Sequence, residues 1–257
     1  MRIYVKNGLM GLVGALALYY VYNKLSGQTA TLEAEDILEL DRLREPTEVY
    51  DLTARIAPDS VVYPEDPPLR IQSLTEIGQR GSEFATSEVT LCNHSGTHVD
   101  FPRHVCIDGK SSKDYTLRDL MGRGLIIQVP QEAGVISRNF VKELPIKRND
   151  IVFFKTRNSS ILKNKASYNE NYVYISPDAA SLLVEKGAKM VGIDYLSVDG
   201  LEDETLPVHK KLLSNGVLIV ECLELAGIPA GDYFFSVCPL KIDDIDGAPA
   251  RVMAMRW

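Results

Sequence analysis

Apolar and polar positions along the chain form two kinds of pattern, which predict strands and helices in alternation. Continuous apolar runs at residues 125–129, 151–156, 190–193 and 217–223 are typical of strands that are buried on both faces. Segments with helical signals lie between several of these runs. Because helices that separate buried strands pack on the faces of a sheet, the pattern predicts an α/β fold with a mixed sheet.

The clearest helix signal lies between two of the apolar runs. Ser176 provides a hydroxyl N-cap, Pro177 suits the first turn, and Asp178 places a negative charge near the positive end of the helix. Gly187 is predicted to end this helix, because glycine readily adopts the left-handed conformation of a C-cap. Weaker patterns predict helices at residues 137–144 and 205–213, strands at 49–53 and 84–91, closing strands within 239–257, and a polar, mobile loop at 157–172.

The first 48 residues differ in composition from the rest of the chain. Residues 8–22 are apolar, although they fall short of the ~20 residues that cross a bilayer as a helix. We expect residues 1–30 to anchor the protein to a membrane through 8–22, the protein being otherwise cytoplasmic; a signal peptide and a helix packed on a partner subunit are the alternatives. Residues 31–48 are acidic and are predicted to form a short helix or spacer, which leaves residues 49–257 as the main domain.

Composition excludes some classes of partner. The 257 residues carry a net charge of -7, which argues against nucleic acid because binding phosphates requires a basic surface. The four cysteines, Cys92, Cys106, Cys222 and Cys238, do not have the spacing of a disulfide framework. We expect them to be small buried side chains in the core rather than metal ligands or redox groups.

The candidate chemistry is concentrated in one segment, C-N-H-S-G-T-H-V-D-F-P-R-H, which runs from residue 92 to residue 104. The protein has only four histidines, and His94, His98 and His104 all lie here with Asp100. In an extended strand His94 and His98 would lie about 13 Å apart, at a rise of about 3.3 Å per residue, too far to bind one ion. The chain must therefore bend between them, and Gly96 is the residue best suited to the bend.

These residue types predict a metal site. Imidazole and carboxylate ligands suit zinc, manganese or ferrous iron, and the absence of paired cysteines favours an open, catalytic site over a structural one. Glu221 interrupts the apolar run V-L-I-V-E-C-L, where an unpaired carboxylate is costly to bury. We therefore expect Glu221 to bind metal as well.

The segment H-S-G-T-H-V-D-F-P-R-H resembles the signature H-x-G-T-H-x-D-x-P-x-H of the metal-dependent cyclase-like hydrolases, a family that includes kynurenine formamidase and isatin hydrolase. Every fixed position of the signature is matched. The resemblance extends from about residue 50 to the C-terminus and takes in Y-D-L-T at 50–53, Tyr63-Pro64, and G-I-D at 192–194 followed by Ser197, Asp199, His209 and Glu221.

The resemblance implies a swivelling β/β/α fold and a metal-dependent hydrolase of a small amide or lactam, such as an N-formyl aryl amine. His94, His98 and Asp100 would hold one divalent ion, Zn²⁺ or Mn²⁺, while His104, His209 and Glu221 would bind a second ion or position water. His104 or Glu221 would transfer the proton. The resemblance also implies that Tyr63 and Ser197 contact the substrate, and that the protein is a homodimer or homotetramer.

Two positions differ from the pattern of kynurenine formamidases. Tyr63 stands where they favour tryptophan, and Glu65 replaces the glycine that is common in Y-P-G-D-P. Both differences argue against formylkynurenine as the substrate.

Two other functions remain open at this point. His98, Asp100 and His209 match the two-histidine, one-carboxylate triad of ferrous oxygenases, although that triad leaves His94 and His104 without a role. A non-catalytic metal-binding module that has kept the fold is the second alternative.

We also expect particular behaviour of individual groups outside the motif. Asp194 is a candidate acceptor that holds a histidine ring, with a turn-stabilising role as its alternative. Asp243, Asp244 and Asp246 are predicted to lie on a solvated turn.

Overall fold

The computed structural model describes residues 46–163, 168–201 and 205–257. The predicted anchor at 1–30 and nearly all of the predicted acidic segment at 31–48 lie outside the described residues. A compact unit spans Val49–Arg256. Within the part of the chain that is described, no helix has the length and apolar character needed to span a membrane.

The described residues form twelve strands and four α-helices. The strands are β1 Glu48–Asp51, β2 Arg70–Thr75, β3 Thr86–Thr90, β4 His98–Asp100, β5 Met121–Gln128, β6 Val135–Ile136, β7 Ile151–Lys155, β8 Tyr174–Ile175, β9 Met190–Ile193, β10 Leu218–Glu221, β11 Gly231–Pro239 and β12 Gly247–Arg256. The helices are α1 Arg138–Lys142, α2 Asn158–Lys163, α3 Pro177–Lys186 and α4 Pro207–Leu213.

The main sheet closes into a barrel. Its strand order is β1-β12-β11-β5-β7-β9-β10-β4, and an additional pairing of β12 with β4 closes a ring of seven strands, with β1 beside β12. The neighbours β5, β7, β9 and β10 run parallel, whereas β4, β11 and β12 pair in antiparallel fashion. The predicted mixed α/β architecture is therefore confirmed, and it takes the form of a closed sheet with few helices.

Alternate residues of the central strands enter two different cores. On β7, Ile151 and Phe153 pack with side chains of the other barrel strands, whereas Val152 and Phe154 pack with residues of α1, α3 and α4. All four are fully buried. Because successive side chains point to opposite faces, both faces of the strand lose contact with water, which explains the uninterrupted apolar run in the sequence.

The strongest helix prediction is confirmed at both ends. The Ser176 hydroxyl accepts a hydrogen bond from the Ala179 amide at 3.3 Å, and Pro177 occupies the first turn of α3. Gly187 ends the helix with φ of 76°, in the left-handed region that favours glycine.

The prediction of a loop at residues 157–172 is wrong in part. This range contains helix α2, because the buried Asp194 carboxylate accepts from the Thr156 amide at 2.8 Å and the Ser159 amide at 3.0 Å, which anchors the start of that helix. A closing strand expected within 239–257 is confirmed as β12, whereas β11, which starts at Gly231, was not predicted.

Strands β2 and β3 form a separate two-stranded sheet outside the barrel. Ile71 and Val89 lie opposite each other in its register, with exposed fractions of 57% and 53%. Leu74, Ile77 and Phe84 are also exposed in or beside this hairpin. The hairpin therefore presents large apolar side chains to solvent.

Candidate metal centre

The histidines and carboxylates of the motif meet at one end of the barrel because three elements converge there. His98 and Asp100 lie on the short strand β4, and the antiparallel register places Glu221 of β10 directly opposite His98. His209 lies on helix α4, which packs against β10. Residues far apart in the sequence are thus brought together by the barrel.

The bend predicted before β4 is present. Gly96 has φ of 63°, and the rings of His94 and His98 have centroids 4.9 Å apart. The Thr97 hydroxyl donates to the Cys222 carbonyl at 2.6 Å and accepts from the Ala54 amide at 2.8 Å. These bonds fix the turn against two other segments of the chain.

Asp100 lies at the centre of the cluster. Its Oδ1 atom is 2.8 Å from His94 Nδ1 and 3.2 Å from His98 Nε2, and its Oδ2 atom is 3.5 Å from His209 Nε2. Glu221 completes the group, with Oε1 at 3.2 Å from His209 Nε2 and Oε2 at 3.4 Å from His98 Nε2. Asp100 therefore faces two histidines with one oxygen and a third with the other.

Hydrogen bonds on the outer side of two rings turn their inner nitrogens toward the carboxylates. His98 Nδ1 lies 2.8 Å from the Gly96 carbonyl, which can only accept, so Nδ1 carries the proton. His209 Nδ1 lies 2.6 Å from Asp199 Oδ2 in the same arrangement. In neutral rings both Nε2 atoms then present a lone pair to the centre of the site, as metal-binding histidines do.

The central atoms fit a divalent cation. His98 Nε2 and both carboxylate oxygens of Asp100 are buried. Among the described residues they have no partner with hydrogen-bond geometry, although His98 Nε2 lies only 3.2 Å from Asp100 Oδ1. Such buried polar atoms are costly unless something satisfies them. Three overlapping groups among the described residues have the spacing of metal ligands: His94, His98 and Asp100; Asp100, His209 and Glu221; and His94, His104 and Asp246.

The electrostatics of the site also favour a cation. Burial alone lowers the pKa of His98, but the Asp100 and Glu221 carboxylates outweigh it and raise that pKa to about 10. The pKa of His209 likewise rises well above its usual range, because Glu221 and Asp100 outweigh its burial. Burial raises the pKa of Asp100, but His98 and the other rings hold it well below its usual value. An ion that binds here must displace imidazole protons.

His104 stands at the open side of the cluster. Its ring centroid is 4.4 Å from that of His94 and 5.5 Å from that of His209, so all four histidines of the protein come together. The side chains of His94 and His104 are 17% and 25% exposed, whereas His98 and Asp100 are each 1% exposed. Water and substrate therefore have access from the His94 and His104 side.

The hydrogen-bonding roles of three acidic residues were not fully predicted. Asp194 does not hold a histidine; its carboxylate is bonded to Thr156 and Ser159, which fits the alternative of a residue that stabilises the local backbone. Asp199 holds His209 and had been noted only as part of the family resemblance. Asp199 lies ten residues before His209 and ahead of the predicted helix, and this position would have identified it as a candidate partner of that histidine.

Asp246 is the third of these residues, and its contacts with two histidines were not predicted. It was predicted to lie on a solvated turn, yet its Oδ2 atom accepts from His94 Nε2 at 2.9 Å and lies 3.3 Å from His104 Nδ1. Because Asp246 and His94 are 152 residues apart in the sequence, no local sequence pattern indicated this contact.

The two residues expected to contact substrate lie in different environments. Ser197 is buried, and its hydroxyl accepts from the Asp199 amide at 3.2 Å. Tyr63 is 39% exposed and makes an edge contact with Tyr168, with centroids 5.6 Å apart. Glu65 in the same loop has φ of 76°, where glycine is unstrained, which accounts for the glycine of the Y-P-G-D-P pattern.

The cysteines follow their prediction only in part. All four are free thiols, but Cys222 alone is buried; Cys92 and Cys106 are half-buried and Cys238 is exposed. Cys238 lies on β11, where its side chain alternates outward from the buried Val237. The expectation that all four lie in the core is therefore wrong for Cys238.

Comparison with known proteins gives a consistent result. The sequence model of the putative cyclase family matches residues 50–200. A kynurenine formamidase from Salinibacter ruber (strain DSM 13855 / M31) is 30% identical over 205 residues, which cover 80% of this chain and 96% of that protein.

Solved structures have the same fold. A potential metal-dependent hydrolase with cyclase activity has a TM-score of 0.72 and 32% identity, and the match covers 82% of this chain and 98% of that one. An isatin hydrolase bound to the product analogue thioisatinate has a TM-score of 0.74 at 21% identity, covering 87% of this chain and 99% of that one.

We predict that Gly96→Ala weakens both the fold and the metal site. A residue with a Cβ atom costs about 1–2 kcal/mol in the left-handed region, and a Cβ here would also overlap the Ile56 side chain. The denaturation midpoint and the metal content of the purified variant should both fall. Gly134→Ala is the control, since nothing lies within 4 Å of the added Cβ; equal midpoints and metal contents in both variants would contradict the prediction.

Proposed function

The chain belongs to the putative cyclase family, and we propose that it is a metal-dependent hydrolase that cleaves the C–N bond of a small amide, as an arylformamidase does. The observation that carries the proposal is the buried Asp100 carboxylate, which lies between His94, His98 and His209 and whose oxygens have no partner of hydrogen-bond geometry among the described residues. The relatives named kynurenine formamidase support an amide as the substrate.

The proposed ligands form two sets that share Asp100. His94, His98 and Asp100 would hold one ion, and His209 and Glu221 would hold a second with the other oxygen of Asp100. Imidazole and carboxylate donors suit Zn²⁺ and Mn²⁺, and we propose one of these as the native metal, with one or two ions bound. The same donors bind other divalent ions of similar size.

The proposed reaction adds water to the amide carbonyl carbon and breaks the bond to nitrogen. A divalent ion held by these residues would supply Lewis acidity, which lowers the pKa of water and polarises a carbonyl oxygen. His104 would take a proton from water and return it to the departing nitrogen, so that the products are a carboxylate and an amine. Glu221 would take this role only where it is not a ligand.

An exposed aromatic side chain supports an aryl amide as substrate. Tyr63 is 39% exposed and meets Tyr168 edge to face, whereas Tyr172 and Tyr195 stack on each other within the core. We propose that Tyr63 contacts the aromatic ring of the substrate and that Ser197 contributes from the buried side. A lactam such as isatin is the alternative substrate, and its hydrolysis would open the ring without a second product.

The fold and the ligand set bear on the alternative of a ferrous oxygenase. We propose that the closed sheet with its few helices is the swivelling β/β/α arrangement of the family. An oxygenase triad of His98, Asp100 and His209 would leave His94 and Glu221 without a role although both face the same centre. A hydrolase that uses the whole cluster accounts for all of them.

We predict that the purified protein contains a divalent metal and hydrolyses an N-formyl aniline. Removal of the metal by a chelator should abolish activity, and Zn²⁺ or Mn²⁺ should restore it.

His98→Ala should lose metal and activity together, because a buried ligand is removed. Glu221→Gln should stay folded with turnover reduced by about 100-fold or more, the size typical of a lost ligand or proton acceptor.

The exposed Glu132 provides the matched control. Glu132→Gln should retain wild-type turnover and metal content. Full metal stoichiometry in His98→Ala would refute the ligand set, and a wild-type rate in Glu221→Gln would return Glu221 to a structural role. Parallel assays with an N-formyl aniline and with isatin decide between the formamide and the lactam.

We propose that the protein is a homodimer, alone or within a homotetramer, and that the β2–β3 hairpin contributes to the interface. An isolated two-stranded hairpin is marginally stable in water, and this one exposes Ile71 and Val89 on one face. Burial of these side chains against a second copy of the chain would stabilise both the hairpin and the dimer.

We predict that Ile71→Lys combined with Val89→Lys lowers the mass of the protein in solution, because charged side chains oppose burial in an apolar interface. Light scattering coupled to gel filtration measures the mass. Gln72→Lys is the control, since Gln72 alternates with Ile71 and points to the other face of the strand. A wild-type protein that is monomeric at micromolar concentration would refute the homodimer.

We propose that residues 8–22 bind a membrane and that the domain from residue 49 to residue 257 works in the cytoplasm. The four free cysteines suit a reducing compartment.

We predict that the full chain sediments with lipid vesicles, whereas a truncation lacking residues 1–30 stays in solution and keeps its hydrolase activity. Equal partition of the two proteins would contradict the anchor, and loss of activity in a folded truncation would contradict the domain boundary.

A further inference from the structure

We propose that Asp246 is a positioning residue, whose Oδ2 atom holds His94 and His104 in the orientations that metal binding and proton transfer require. This inference rests on the proposed function of the same site. Oδ2 lies 2.9 Å from His94 Nε2 and 3.3 Å from His104 Nδ1. One carboxylate oxygen therefore serves both a proposed ligand and the proposed proton acceptor.

The closure of the barrel sets the position of Asp246. In the β12–β4 pairing Gly247 lies opposite Asp100, and the Phe101 amide donates to the Asp246 carbonyl at 2.9 Å. The Asn93 side-chain amide donates to Asp246 Oδ1 at 2.9 Å. Backbone and carboxylate are thus both fixed, and Oδ2 is the oxygen that faces the two rings.

Gly247 supports the same orientation from the side. A Cβ atom at this position would lie 2.5 Å from His94 Cε1 and 2.8 Å from Nε2, so the imidazole packs directly on the backbone of residue 247. The ring of His94 is therefore confined by Gly247 beside it and by Asp246 at its edge. Its remaining nitrogen, Nδ1, faces Asp100 Oδ1 at 2.8 Å.

The bond to Asp246 has a different consequence for each ring. Donation from His94 Nε2–H fixes the tautomer whose lone pair is on Nδ1, and a carboxylate partner raises the basicity of the ligand. Donation from His104 Nδ1–H leaves Nε2 free to accept a proton, as in hydrolytic sites where a carboxylate orients a histidine base. Loss of Asp246 should therefore affect metal retention and turnover together.

A purely structural role would give a different result. The Asp246 side chain is 40% exposed, and a pair at such a position contributes little to the free energy of unfolding. Asp246→Ala should therefore stay folded. Asp246→Asn keeps one oxygen that can accept from a ring, and it should fall between Asp246→Ala and wild type.

The test compares wild type, Asp246→Asn, Asp246→Ala and the control Asp243→Asn, which changes an exposed carboxylate on the same segment. Zinc-loaded proteins are mixed with a chromophoric chelator, and turnover is measured with an N-formyl aniline. Asp246→Ala should bind zinc about 10–100-fold more weakly, the usual effect of losing the partner of a metal-bound histidine. Its kcat should fall while KM stays near the wild-type value.

Nitrogen-15 NMR of the histidine rings in metal-free protein gives a readout that is independent of activity. In wild type the Nε2–H proton of His94 should show the downfield shift of a hydrogen bond to a carboxylate, and Asp246→Ala should lose that shift. Wild-type zinc retention and kcat in Asp246→Ala, or equal losses in Asp243→Asn, would overturn the inference. A wild-type protein that binds no divalent ion would refute the proposed function, and the Nε2–H signal would then still decide the role of Asp246.

Discussion

The site depends on one buried carboxylate. Asp100 is 1% exposed, and three imidazole nitrogens lie within 3.5 Å of its oxygens. A carboxylate in such a place is stable only with positive charge beside it, supplied by protons on the rings or by a cation. A second buried carboxylate, Glu221, increases that demand. The rest of the structure determines which of the two sources of charge is used.

The barrel controls this choice through hydrogen bonds on the outer edges of the rings. Gly96, Asp199 and Asp246 each accept from the nitrogen of a histidine that faces away from the centre. Each acceptor belongs to a different part of the fold: the turn before β4, the segment before α4 and the start of β12. The fold therefore determines which nitrogen of each of these three rings faces the carboxylates.

Much of this could be predicted from local sequence, because local patterns determine it. The run at residues 190–193 gave strand β9, and Ser176, Pro177 and Gly187 gave the limits of α3, since capping depends on neighbours in sequence. The bend at Gly96 could be predicted because an extended strand would hold His94 and His98 too far apart to bind one ion. The α2 helix and the role of Asp246 were missed because each depends on a partner distant in sequence: Asp194 is 35 residues from Ser159, and Asp246 is 152 from His94.

The uneven distribution of the site along the chain has a consequence for folding. His94, His98, Asp100 and His104 lie within one short segment, so the unfolded chain retains a local chelating sequence even after the barrel is lost. His209 and Glu221 join it only when the barrel forms. An ion that binds both states stabilises the fold by less than its affinity for the native site implies. Only the ligands from α4 and β10 make the site depend on the complete fold, so the selectivity of binding for the native state rests on His209 and Glu221.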